Sequence, residues 1–173
     1  MIAKAARFSP RLEEQANPHL RVLDHNAELR HIVQALDNAS VTYAVVGGLA
    51  VSIYTVPRAT EDIDLLLARE DLGRAISAIS SLGFQAAGQP MKVAGGRLEI
   101  QRLIKIAGSD ILPLDLVIPT DPDLARLLSS RVSMPWEERQ IWIVDLSGLR
   151  ILKRLRGSAQ DRADLEALGP ESS

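Results

Sequence analysis

The sequence predicts one α/β (α+β) domain, a mixed β-sheet flanked by helices, and three observations carry that expectation. Short, mostly apolar runs at 41–46, 63–67 and 111–118, the first of them rich in β-branched residues, have the length of buried strands. The segments around them place apolar residues at helical spacing instead. The chain has 173 residues, enough for one core that buries roughly two-thirds of the unfolded surface and too few for two substantial cores.

Taken in order, residues 1–20 show no clear period and carry Pro10 and Pro18, so they read as a loosely attached leader before a domain at 21–173. Leu29, Ile32, Val33 and Leu36 repeat at helical spacing and predict an amphipathic helix over 23–36, ended by Asp37-Asn38. The run 41–46 ends at Gly47-Gly48, a strand turning sharply into a short helix at 49–54, which Pro57 closes. Residues 63–67 read as a second buried strand. Leu72, Ile76 and Ile79 then mark a helix over 69–82 that stops at Gly83. Residues 97–106 and 111–118, joined by Gly108-Ser109-Asp110, form an antiparallel hairpin. Asp121-Pro122 opens a helix over 121–128, 140–144 is a short strand, and 146–156 and 159–168 are closing helices.

Composition removes several chemistries. With no cysteine, disulfides, thiol nucleophiles and thiolate zinc sites are excluded. His19, His25 and His31 are confined to the leader and first helix, and His25 and His31 fall on different faces, so neither a metal pair nor a triad is suggested. Twenty basic against 22 acidic residues leave a net charge of -2, so any nucleic-acid contact has to be regional. No apolar run approaches the ~20 residues of a membrane span and no signal-peptide core is present, which predicts a cytoplasmic protein.

The remaining chemistry is acidic. Asp62 and Asp64 are two apart on a strand and point to one face, while Ile63 and Leu65 point to the other. Unit charges about 4 Å apart repel by about 4 kcal/mol at an effective dielectric near 20, a cost that calls for a cation between them. Mg2+, which takes oxygen ligands from one or two carboxylates, waters and phosphates, suits that inventory; the alternative is a solvated pair at a strand start. Asp115 lies in an apolar run, Ile111-Leu112-Pro113-Leu114-Asp115-Leu116-Val117-Ile118, and burying it unpaired costs several kcal/mol. Either it converges with Asp62 and Asp64 on metal, or it sits at an edge and pairs with an arginine such as Arg102. Gly47 and Gly48 would let a triphosphate approach the backbone at a helix N-terminus, although a diglycine is also an ordinary tight turn.

Val46-Gly47-Gly48, a spacer, then Asp62-Ile63-Asp64-Leu65, with Arg58-Ala59-Thr60 just ahead, resembles the signature of the polymerase β-like nucleotidyltransferase superfamily. Among its small bacterial branches it is similar to the AbiEii-type toxin nucleotidyltransferases and the minimal nucleotidyltransferase antitoxins. The resemblance covers roughly residues 41–168. It implies a nucleotidyltransferase-type fold and transfer of a nucleoside monophosphate from an NTP to a hydroxyl on an RNA end such as a tRNA, a protein or a small molecule. It also implies a two-metal mechanism and a place in a toxin-antitoxin pair. On it, Asp62, Asp64 and Asp115 bind Mg2+, Gly47 and Gly48 contact the nucleotide phosphates, and Arg58 stabilises the triphosphate. Leu152-Lys153-Arg154 and Gln160-Asp161-Arg162-Ala163-Asp164-Leu165 resemble the closing segments of the AbiEii-like branch and make Lys153 a phosphate contact. Gly48 replaces a frequent serine and Gln160 a frequent lysine.

Other readings stand beside these. Lys153 reads equally as a surface helix lysine, Arg58 as a solvated loop residue, and Asp161 and Asp164 as a solvated face. Arg150, Lys153, Arg154 and Arg156 form a basic cluster able to steer RNA or triphosphate, or a solvated helix. Trp136 and Trp142 read as packing residues. At the level of function, a weakly catalytic nucleotidyltransferase-like module that binds a partner protein is the alternative, and a metal-dependent phosphohydrolase is a third reading.

Overall fold

A computed structural model describes residues 23–57 and 60–170. The leader at 1–20, and Arg58, lie outside the described residues. Eight strands form one mixed sheet in the order β3-β5-β6-β2-β1-β8-β7, with β4 paired to β5 beside this path. The strands are β1 (Tyr43–Val45), β2 (Ile63–Leu67), β3 (Gln85–Ala86), β4 (Met91–Val93), β5 (Leu98–Ala107), β6 (Asp110–Pro119), β7 (Val132–Trp136) and β8 (Arg139–Ile143). The helices are α1 (His25–Asn38), α2 (Gly47–Tyr54), α3 (Leu72–Ser80), α4 (Pro122–Ser129), α5 (Leu146–Arg156) and α6 (Ala159–Ala167).

The strand that carries Asp64 is central. All five residues of β2 are buried, and it runs antiparallel to β1 on one side and parallel to β6 on the other. A strand covered on both faces reads as a continuous apolar run, which is how Ile63, Leu65, Leu66 and Leu67 accompany Asp64. β5 and β6 form the expected hairpin, in register from Leu98↔Pro119 to Ala107↔Asp110.

Capping side chains set most helix starts. Asp24 accepts from the amides of Asn26 and Ala27 and fixes the start of α1, while the Leu23 amide donates to Asp110, so this helix begins later than residue 23. Asp121 caps α4, Asp145 caps α5, and Ser158 with Asp161 forms a capping box on α6. The expected helix over 69–82 is instead a single 3-10 turn, Arg69–Asp71, followed by α3, and Gly83 closes it at φ +92°. α2 begins two residues earlier than predicted, so Gly47 and Gly48 are its first turn.

Three strands were not expected: β3, β4 and β7. β3 has two exposed residues and β4 three mostly exposed ones, too short and too open for an apolar period. β7 pairs only with β8 and carries Pro135, which an edge strand tolerates because one side needs no ladder bond. Helix α1 packs on α3, α2 on β2 and α5, and α5 on α6, which brings α5 over the aspartate end of the sheet.

Leu66 is fully buried on β2, so its truncation removes apolar contact and leaves a cavity. Leu66→Ala is expected to lower unfolding free energy by about 2–5 kcal/mol, measured by urea denaturation.

Candidate active site

Three acids converge at the N-terminal end of β2. Asp62 sits just before the strand, half-buried, while Asp64 and Asp115 are 7% and 4% exposed. The parallel register places Asp64 directly beside Asp115, and one carboxylate oxygen from each of the three residues lies within 4.8 Å of the others. β6 lies between β5 and β2, so Asp115 is not an edge residue. Its pairing with Arg102 nevertheless holds: cross-strand register opposes the two, and Nε and Nη2 of Arg102 donate to the two Asp115 oxygens at 2.7 Å each. Convergence and pairing, posed as alternatives, coexist.

The electrostatic load falls on Asp64. Burial, then repulsion from Asp62 and Asp115, pushes its pKa up to about 7, and the opposing pull of Arg156 and Lys153 does not cancel this. Three oxygen donors, two of them buried, in mutual reach fit a hard divalent cation such as Mg2+.

Gly47 is required for a reason of its own. Its φ is +66°, and a Cβ there would lie 1.9 Å from Oδ2 of Asp64 and 2.7 Å from its Cγ. The glycine makes room for the aspartate, and the Val46 amide donates to the Asp64 carbonyl at 3.0 Å, locking the two segments together. Val46, the N-cap of α2, offers no side-chain hydrogen bond, so side-chain capping leaves the first-turn amides of α2 for an anion.

Lys153 is not a surface lysine. It is 3% exposed, with Nζ 2.7 Å from Asp164 Oδ2 and 3.1 Å from Asp161 Oδ1. Asp161 and Asp164, expected on a solvated face, are 0% and 2% exposed because α6 folds back onto α5 over them. Against the upward push of burial, hydrogen bonds from Arg156, Ser158 and Lys153 hold Asp161 well below the usual carboxylate range. Gln160 donates to Asp164 and thus supports the same cluster. The basic run on α5 is correspondingly dispersed: Arg150 is buried and donates to the carbonyls of Leu168, Gly169 and Pro170. Trp142 is partly exposed, with the Arg131 guanidinium 4.6 Å from its ring centroid.

A cavity of about 310 Å3 opens beside the acids, between α5 and the sheet. Gly47, Asp64, Lys153 and Arg156 line it together with apolar walls that include Ile100 and Val117. Arg156 was visible in the sequence only as one basic residue among four; what singles it out is the turn of helix that carries it to this cavity. A larger groove of about 640 Å3 near Asp71, Arg131 and Trp142 holds none of the three acids.

The chain has the fold seen in solved nucleotidyltransferases. No family model and no curated protein matches it. Among solved structures it is similar to the lincomycin-bound lincosamide antibiotic adenylyltransferase LnuA, with 16% identity and TM-score 0.54 over 82% of this chain and 94% of that one. It is also similar to a Thermotoga maritima protein assigned as a nucleotidyltransferase, with 17% identity and TM-score 0.58 over 82% and 89%. A third is ANT(2″)-Ia in complex with adenylyl-2″-tobramycin, with 13% identity and TM-score 0.58 over 82% and 86%. Among the described residues no helix is long and apolar enough to cross a membrane.

Two outcomes follow from this geometry. Gly47→Ala is expected to displace the Asp64 carboxylate, and Mn2+ titration should show at least a tenfold loss of affinity, about 1.4 kcal/mol. An acid whose pKa rises on folding holds its proton more tightly in the folded chain. Without divalent ions, stability should therefore fall by on the order of a few kcal/mol as pH climbs from about 4 to about 7. Urea unfolding in EDTA at pH 4.5 and 7.5 should show this slope in wild type and a flatter one in Asp64→Asn.

Proposed function

We propose that this chain is a Mg2+-dependent nucleotidyltransferase that moves a nucleoside monophosphate from an NTP to a hydroxyl acceptor. The observation that carries the reading is the meeting of Asp62, Asp64 and Asp115 beside the Gly47 turn, in a fold shared with adenylyltransferases.

Asp62 and Asp64, with Asp115, would hold the metal, which when bound neutralises phosphate charge and lowers the pKa of a coordinated oxygen. The first-turn amides of α2 at Gly47 and Gly48, with the positive end of the helix, would orient the phosphates. Asp115 takes the proton of the acceptor hydroxyl as its oxygen attacks the α-phosphorus. The bond to the bridging oxygen breaks, and pyrophosphate leaves with that electron pair. Arg102 fixes the plane of Asp115 through its two-pronged contact, so the accepting oxygen is oriented before substrate arrives. Lys153 acts through its field on Asp64, and Arg58 belongs to the site on the sequence resemblance alone.

The acceptor class follows the relatives only in outline. LnuA is bound to lincomycin and ANT(2″)-Ia to an adenylylated tobramycin, which supports a small hydroxylated molecule among the three acceptor classes, beside an RNA end and a protein side chain. One observation favours a second reading. Because Arg102 engages both oxygens of Asp115, a weakly catalytic module that acts by binding a partner protein, as in a toxin-antitoxin pair, also suits the geometry.

Incubation with each α-labelled NTP, Mg2+ and pools of RNA, small hydroxylated molecules and protein separates these readings. Label transfer should fall by at least about a hundredfold in Asp62→Ala and Asp64→Asn, the scale set by losing charge stabilisation at a reacting centre. Equal transfer by variant and wild type refutes the assignment. Free phosphate without a labelled acceptor indicates a phosphohydrolase.

A further inference from the structure

We propose that Arg156, held in place by Asp161, is the side chain that grips the β- and γ-phosphates of the bound NTP. The assignment rests on the nucleotidyltransferase reading and places the phosphate-gripping cation three residues beyond Lys153, where the sequence resemblance had put it.

The two basic residues lie on neighbouring turns of one face of α5, and both line the cavity that reaches Asp64 and Gly47. Their environments differ sharply. Lys153 is buried with its ammonium between Asp161 and Asp164, and withdrawing it toward a ligand would break a buried ion pair with each of the two. Arg156 is half-exposed, with a side chain 52% accessible, so it meets a ligand at no such cost.

The arginine is also pre-oriented. Its Nε donates to Oδ2 of Asp161 at 2.8 Å. That carboxylate is completely buried and immobilised in turn by the Ser158 amide at 3.1 Å, the Ser158 hydroxyl at 2.7 Å and Lys153. A guanidinium fixed at Nε retains two terminal nitrogens, the pair that makes forked contacts with phosphate oxygens. Among the described residues neither terminal nitrogen makes a hydrogen bond within the chain. Its charge also registers the acids across the cavity: the Asp161 bond first, then the fields of Asp64 and Asp62, hold the guanidinium above its usual pKa. A cation facing a metal-binding acid cluster across a cavity, with one edge anchored and one edge open, is placed to receive the anionic tail of a metal-bound nucleotide. Asp161 is then a positioning residue, and the buried Lys153 keeps Asp161 ionised and fixed.

Calorimetric titration of the full chain in Mg2+ with each of the four NTPs identifies the tightest, whose di- and monophosphate forms and inorganic pyrophosphate are then compared. Arg156→Ala should weaken NTP and pyrophosphate binding by about ten- to a hundredfold, the scale of a charge-assisted forked contact, and leave the monophosphate within about twofold. Arg156→Lys should recover part of the loss, and Asp161→Asn should reproduce its phosphate-number dependence at smaller size. Unchanged NTP affinity in Arg156→Ala overturns the proposal, as does an equal loss for mono- and triphosphate, which marks damage to the fold. Failure of the wild-type chain to bind any NTP sinks the nucleotidyltransferase reading itself, and that outcome is distinct from the other two.

Discussion

The mutual approach of three carboxylates at the end of a buried parallel strand pair is the constraint around which the molecule is arranged. At 4.8 Å, two unit charges repel by about 3.5 kcal/mol for an effective dielectric near 20, and three acids make three such pairs. Hydrophobic burial of β2 and β6 holds the backbone in register regardless, since slipping by one residue would turn Asp64 and Asp115 into the opposite layer and Leu65 and Leu116 out of theirs. The sheet therefore enforces a proximity that the side chains oppose. The unrelieved part of that opposition is visible in Asp64, whose affinity for a proton marks the same deficit of positive charge that a divalent cation would fill.

The chain's own cations relieve the remainder unequally. Arg102 is spent on Asp115, two-pronged and from the neighbouring strand, so the third acid is the best compensated of the three. Lys153 and Arg156 approach from α5, and each shares its charge with the Asp161 and Asp164 cluster of α6. Neither cancels the charge of Asp64. Had α5 delivered a lysine straight onto Asp64, the pair would be neutral and the negative charge of the cluster smaller. The interposed acids of α6 keep the helix close to the site without quenching it, which gives the fully buried Asp161 a purpose that packing alone would not demand.

How much of this could be read in the sequence depends on whether the signal was local. The strands 63–67 and 111–118, the hairpin and all six helices were legible because apolar period and the residues that bound an element sit within a few positions of one another. Asp62 and Asp64 were legible together because alternation on a strand is local too. Asp115 was legible as a buried acid in need of a partner, yet two partners were in competition, and only the order β5-β6-β2 shows that it has both. The mistaken environments of Lys153, Asp161 and Asp164 share one cause. Helix α5 is amphipathic and α6 is polar almost all round, so each reads as a surface helix, and the acids disappear from solvent only when the Gly157 turn, at φ +65°, folds one helix over the other. β3, β4 and β7 gave no local signal, since edge pairing buries too little to imprint a period.

The Gly47-Gly48 turn and the Asp62-Ile63-Asp64 segment look in sequence like two motifs with two jobs, one for phosphate and one for metal. The structure makes them one object. A side chain at position 47 would occupy the space of the Asp64 carboxylate, and the amide of Val46 bonds to the carbonyl of Asp64, so the turn sets where the acid stands. The glycine whose missing Cβ leaves this room, at φ +66°, is also the first residue of α2, whose start has no side-chain cap. The acid cluster and the helix start without a side-chain cap are thus adjacent because they share one turn of backbone. Sixteen positions separate residues 47 and 64 along the chain, and the fold brings them into contact across one turn.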